Sequence, residues 1–210
     1  MSRALARRLL EAGIRDERVL HALAQVPRQL FVPAQLQSRA DDDVPLPIGC
    51  GQTISQPYVV AFMTQMLELG GTEKVLEVGT GSGYQTAVLA LLAREVCSVE
   101  IVPELSARAA AVLLGALGLG NVRLNVTDGW EGWPAEAPFD RILVTAAARK
   151  VPPALVRQLR EGGRMAVPVG EAEEVQQLTV VEKAAGGAVT SREVLPVRFV
   201  PIRRGEPKLQ

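Results

Sequence analysis

The spacing of apolar positions divides the chain into three stretches. Up to about residue 70 the pattern is helical and irregular. Leu5, Leu9 and Leu10 are followed by Val19, Leu20, Leu23 and Val26 at helical spacing, and Pro27 ends that helix. Asp41, Asp42, Asp43, Pro45, Pro47, Gly49, Gly51 and Pro57 punctuate residues 38–57, which predicts a long loop. Pro57 opens another helix with Val59, Phe62, Met63, Met66 and Leu67 on one apolar face, and Gly70-Gly71 closes it. Beyond Gly71 short apolar runs alternate with helical ones. They predict strands over 74–78, 95–100, 122–126, 139–145 and 164–169, with helices over 84–94, 103–117 and 153–160. From Val175 the helices stop. Strands over 177–182 and 191–200 join across Gly186-Gly187, and 203–210 is a polar tail.

Strands separated by helices of this length imply right-handed crossovers. The expected fold is α/β: a doubly wound, mostly parallel sheet with helices on both faces, an N-terminal helical elaboration and antiparallel C-terminal edge strands.

Composition narrows the partners. Of 210 residues 48% are apolar and 22% charged, enough for a sizeable core. Lys+Arg and Asp+Glu are both 23, so a carpet of phosphate contacts, and with it a nucleic-acid partner, is not expected. Two cysteines, Cys50 and Cys97, exclude a disulfide scaffold but leave a single disulfide open. His21 is the only histidine and lies off the Val19/Val26 stripe, so a metal site is short of ligands and none is expected. The N-terminus carries Arg3, Arg7, Arg8 and Glu11 among its leucines. No run resembles a signal peptide or a membrane span, so a cytoplasmic protein without a membrane partner is expected, with a monomer as the default.

The densest chemical signal is Val75-Leu76-Glu77-Val78-Gly79-Thr80-Gly81-Ser82-Gly83-Tyr84. A strand runs through three alternate glycines into a helix, where missing Cβ atoms let a ligand approach backbone N–H groups. A dinucleotide fingerprint needs its third glycine at position 84, which is Tyr84. Glu77 beside the turn repels a diphosphate and suits a ligand with positive charge, favouring S-adenosylmethionine over NAD. Glu100, ending the second strand, is placed to accept from both ribose hydroxyls. Asp128-Gly129 follows the third strand, where the acid can accept from an adenine amino group. All three acids fall at carboxyl ends of adjacent strands, where open parallel sheets bind ligands.

The segment 77–84 resembles the first signature of class I S-adenosylmethionine-dependent methyltransferases, which are Rossmann-like. Pro45-Leu46-Pro47-Ile48-Gly49-Cys50-Gly51-Gln52-Thr53-Ile54-Ser55-Gln56-Pro57 resembles the loop of protein-L-isoaspartate O-methyltransferases. So do Val26-Pro27-Arg28, Phe31-Val32-Pro33, the stretch 139–147, Glu161-Gly162-Gly163 and Val197-Arg198-Phe199-Val200-Pro201. The resemblance runs from about Leu20 to Pro201. It implies a single methyltransferase domain over 1–210, with 1–70 as helical and substrate-loop elaboration, 71–170 as cofactor-binding core, and 171–210 as C-terminal strands and tail. It further implies S-adenosyl-L-methionine as cofactor, S-adenosyl-L-homocysteine as product, and isoaspartyl-containing proteins and peptides as partners. Ser55 is implied as the active-site residue. Glu77, Gly79, Thr80, Gly81, Ser82, Gly83, Glu100, Ile101, Asp128 and Gly129 are implied at the cofactor, and Thr53, Ile54, Ser55 and Gln56 at the substrate. Two departures, an acid at Asp42/Asp43 where the family often has an aromatic and Ala148 where it has proline, are expected on the substrate-facing rim.

Esterifying a carboxylate suits a chain with so few catalytic groups. An acid with a pKa of roughly 4 is already ionised near neutral pH and needs no general base. Positioning of the reacting atoms can supply roughly 7–11 kcal/mol. Ser55 then aims the acceptor carboxylate by hydrogen bonding; the alternative is that Thr53 and Ser55 merely cap the helix at Pro57. The stretch 46–56 is expected to clamp the substrate backbone and so tell isoaspartate from aspartate. Trp130 and Trp133 are expected to pack a turn against the sheet, Cys97 to be buried, Asp41–Asp43 to be solvated, and Cys50 to lack a neighbouring positive group. The remaining alternatives are a class I methyltransferase with another carboxylate or small-molecule acceptor, an NAD-dependent oxidoreductase, and a cofactor-binding module without activity.

Overall fold

A computed structural model describes residues 1–171 and 173–205. Two short helices, α1 (Arg3–Glu11) and α2 (Glu17–Gln25), open the chain, capped by the Ser2 and Asp16 side chains. A hairpin follows, β1 (Leu46–Gly49) with β2 (Gln52–Ile54), and then α3 (Pro57–Met66). The core alternates β3 (Lys74–Val78), α4 (Tyr84–Ala90), β4 (Glu95–Glu100), α5 (Pro103–Ala110), β5 (Val122–Val126), β6 (Phe139–Val144), α6 (Pro153–Gln158) and β7 (Leu159–Val169). It ends in β8 (Gln176–Lys183) and β9 (Val189–Val197). The seven-stranded sheet has the order β5-β4-β3-β6-β7-β8-β9, parallel through β7 and antiparallel from β7 to β9. The expected fold class is therefore the observed one. The order reverses between β3 and β6, and a crevice opens there at the strands' carboxyl ends.

The period-two pleat sorts side chains to the two faces. Leu76, Val78, Cys97, Val99, Ile142, Val144, Met165 and Val167 meet α6 and the tryptophan turns on one face. Val75, Val96, Leu143 and Ala166 meet the N-terminal helices, α4 and α5 on the other. Glu77 shares the parity of Val75, so its side chain lies under α4 rather than at the crevice.

Several predicted boundaries shift. The loop over 38–57 contains the β1–β2 hairpin, turned by Gly49, Cys50 and Gly51 at φ 87°, 53° and 67°. The buried face of α3 is Val60, Ala61, Met63 and Thr64 with Leu67 beyond its end. Val59, Phe62 and Met66 are only half-buried. Helix α4 stops at Ala90, and α5 continues as π-helix over Ala111–Ala116. Helix α6 ends two residues early because β7 already begins at Leu159. Its pairing with β6 jumps from Phe139–Leu159 to Arg141–Arg164, leaving Glu161-Gly162-Gly163 as a bulge. A Cβ on Gly163 would lie 2.7 Å from the Arg160 carbonyl oxygen. Residues 206–210 of the predicted polar tail lie outside the described residues. No described helix is long and apolar enough to cross a membrane.

Candidate active site

The crevice is a cavity of about 500 Å³ between the glycine turn, the 45–56 loop and the segment after β9. Gly79, Thr80, Gly81, Ser82, Glu100, Ile101 and Gly129 line it, and so do Thr53, Ile54, Ser55 and Gln56. Two segments predicted separately thus face one space. They are remote in sequence, separated by α3 and β3.

Most amides of the turn are already engaged within the protein. Gly79 and Thr80 donate to the Val99 carbonyl at 2.8 and 3.2 Å, and Gly83 to the Thr80 carbonyl at 2.8 Å. The Gly81 N–H donates to Glu100 Oε2 at 2.9 Å, and the Tyr84 N–H to Ser82 Oγ at 3.2 Å. The expected approach of a ligand to free amides is therefore narrowed to the N–H of Ser82: the other N–H groups of the turn are already engaged. What the glycines provide is room. A Cβ on Gly79, whose φ is +98°, would lie 2.3 Å from Thr145 Oγ1, and one on Gly129 would lie 2.5 Å from Val78 Cγ1. Thr145 itself tethers the turn by donating to the Gly79 carbonyl at 2.6 Å.

Glu100 is the acid that reaches the cavity. Its Oε2 accepts from Gly81 and its Oε1 from the Val102 N–H at 2.9 Å, so the carboxylate is fixed while keeping lone pairs for ligand hydroxyls. A fixed anion beside engaged amides opposes a diphosphate.

Three predicted cofactor residues do not line the cavity. Glu77 is fully buried, accepting from Thr86 Oγ1 at 2.5 Å and Ser98 Oγ at 2.6 Å, and its Oε1 has no partner. Burial pushes its carboxyl up to about 7, with the Glu100 charge adding to the rise and the two hydroxyls opposing it. Asp128 caps its own turn through the Trp130 N–H at 2.8 Å and accepts from the Gly205 N–H at 2.8 Å. Gly83, at φ +89°, packs α4 against α5, where an added Cβ would lie 3.2 Å from Ala109 Cβ.

On the acceptor side Ser55 is half-buried and its hydroxyl has no hydrogen-bond partner among the described residues. The cap of α3 is Asp43, which accepts from the Tyr58 N–H at 2.9 Å and Gln56 Nε2 at 3.1 Å. That corrects both the capping alternative for Thr53 and Ser55 and the solvated reading of Asp43. Ala148 is buried, donating to the Pro168 carbonyl at 2.9 Å, and neither it nor Asp42 or Asp43 lines the cavity. Cys50 Sγ lies 3.5 Å from Arg108 Nη2 and 3.6 Å from Glu104 Oε2, a positive neighbour that the sequence did not reveal. Both cysteines are free, and burial pushes the Cys97 thiol up to about 11. The tryptophans pack against the second core, with Arg204 4.3 Å above Trp130.

Sequence reasoning missed Thr145, Gln85 and the strap after β9. Leu195 to Arg203 lines the cavity, and the strap is held by Ala147, whose N–H donates to the Val200 carbonyl at 2.8 Å. Its Val-Arg-Phe-Val-Pro motif was the available signal.

A turn with most of its amides engaged, with a fixed carboxylate at the next strand's end, suits a nucleoside ligand bearing positive charge. On this sheet order that is the arrangement of Rossmann-like S-adenosylmethionine-dependent methyltransferases. Comparison with known proteins narrows the class: residues 1–207 match the model of the protein-L-isoaspartate(D-aspartate) O-methyltransferase family, and the chain belongs to it. A protein-L-isoaspartate O-methyltransferase of Anaeromyxobacter dehalogenans (strain 2CP-C) is 63% identical over 207 residues, 99% of each chain. That of Myxococcus xanthus (strain DK1622) is 54% identical over 200 residues, 94% of this chain and 93% of its own. A solved protein-L-isoaspartate O-methyltransferase superposes with a TM-score of 0.87 at 28% identity, covering 99% of this chain and 67% of that one. A Plasmodium falciparum structure assigned to the same group, in complex with S-adenosyl-L-homocysteine, gives 0.80 at 25% identity, covering 96% and 98%.

Proposed function

We propose that this chain methylates the free α-carboxylate of L-isoaspartyl residues in damaged proteins and peptides. The carrying observation is that the Ser55 loop and the Glu100 cradle face one cavity. S-adenosyl-L-methionine supplies, when bound, an electrophilic methyl group and a neutral thioether leaving group. Glu100 and Ile101 hold its ribose end, Gly79 to Ser82 shape the wall beside it, and Gly129 leaves room for the base. Glu77 acts from behind the turn, through Thr86 and Ser98, and Asp128 by fixing the turn before Trp130.

Ser55 donates a hydrogen bond to the acceptor carboxylate, which arrives ionised and needs no base. Thr53, Ile54 and Gln56 flank it. Strand β2 pairs with β1 alone among the described strands, leaving an edge that can take an extended substrate backbone. Such pairing rewards the isoaspartyl backbone and leaves groups unpaired with normal aspartate. The same reading carries the expectations of one methyltransferase domain, a monomer, a cytoplasmic location and no nucleic-acid partner. Incubation with methyl-labelled cofactor and paired peptides tests the reaction: label enters the isoaspartyl peptide and not its aspartyl twin. Equal labelling of both, or of neither, refutes it.

A further inference from the structure

Arg28 lies outside the cavity, in the turn after α2, and has no part in the reaction described above. It is 4% exposed. Its partners are carbonyls rather than a carboxylate. Nη1 donates to Ala40 at 2.8 Å and to Asp42 at 3.5 Å, and Nη2 donates to Val44 at 3.1 Å and to Ser55 at 2.9 Å. Three of these carbonyls precede the β1–β2 hairpin and the fourth follows it, so one guanidinium clasps both ends. Its carbon also lies 5.8 Å from the centre of the Tyr84 ring, at the first residue of α4 after the glycine turn. Two further arginines hold the other end of the hairpin. Arg108 Nη1 donates to the Ile48 carbonyl at 3.0 Å, and Arg203 Nη2 to that of Cys50 at 3.2 Å.

Burying a guanidinium without a carboxylate partner is a poor route to stability, since apolar residues of similar volume commonly serve as well. The geometry accounts for it differently. The planar fork reaches carbonyls on two sides at once, which the single ammonium of lysine does not. We infer that Arg28 is a positioning residue: resting on the proposed function, it sets where Ser55 holds the acceptor carboxylate relative to the methyl donor. Arg108 and Arg203 assist at the hairpin tip.

The test is Arg28→Lys, read by kcat and KM on an isoaspartyl peptide, by the Kd of S-adenosyl-L-homocysteine, and by Tm. Misplacement of about 1 Å can cost roughly a hundredfold in rate. The expected result is a fall of about 10- to 100-fold in kcat/KM for the peptide, with product Kd unchanged within about threefold. A residue that only supported the fold would weaken both together. Unchanged peptide kinetics, or a parallel loss of product binding, overturns the inference. Should Arg28→Lys not fold, Arg108→Ala decides, because that side chain is partly solvated and does not line the cavity. The same split at smaller amplitude supports the inference, and unaltered peptide kinetics overturns it. A wild-type chain inert on the peptide refutes the proposed function as well, whereas an active wild type with unaltered variants refutes the positioning role alone.

Discussion

The two walls of the cavity are held by different means. The donor wall, from β3 through the turn to β4, is closed by backbone: Gly79 and Thr80 bond to Val99, and Gly83 to Thr80. The acceptor wall, from Ala40 to Ser55, is held by side chains from elsewhere, namely Arg28, Arg108 and Arg203, together with its own Asp43 at α3. A backbone-closed wall tolerates surface change but not added volume. A wall hung on long side chains depends on each anchor, and its failure should show in substrate handling before cofactor binding.

The largest expected effect tests the donor wall. Gly79→Ala forces a left-handed φ on alanine and displaces Thr145, costing on the order of 4 kcal/mol from backbone strain and broken hydrogen bonds. Titration calorimetry should show product affinity falling roughly a thousandfold.

Next comes pH. Glu77 has its carboxyl raised from 4.5 to about 7 in the fold. Its stabilising contribution is complete below pH 4.5, declines as pH rises, and is lost above about 7. At 1.36 kcal/mol per pH unit the swing is about 3 kcal/mol. Urea unfolding at pH 5 and pH 8 should show that decline in the wild type and a flatter profile in Glu77→Gln.

A crossed pair then separates the walls. Ser55→Ala should lower kcat/KM about 10- to 100-fold while leaving product Kd alone. Glu100→Gln should weaken product binding by a similar factor, each having lost one hydrogen bond involving a charged group, about 1.5–3 kcal/mol. Equal effects of both variants on both readouts would erase the distinction. The smallest change is Asp43→Ala, which removes the α3 cap and should lower stability by about 1 kcal/mol in denaturant unfolding.

The succession of strands and helices, the glycine turn and the acceptor loop were legible because each rests on local rules: apolar periodicity, Gly or Pro where the backbone bends, and motif residues close in sequence. Ser55, Glu100 and the 53–56 segment could be named for that reason. Glu77 was named as a contact because it stands next to the turn, but the pleat of β3 carries its side chain to the opposite face. Asp128 followed a strand as expected, yet its carboxylate meets Gly205, 77 residues on. The roles of Arg28, Thr145 and Asp43 were invisible because each meets backbone groups outside its own local motif, and no pattern of side chains records a carbonyl or an N–H. Local chemistry written along the chain thus decided which elements form and which motif they carry. Which atoms face the cavity, and which anchors hold its walls, depended on long-range packing that exists only once the sheet has closed.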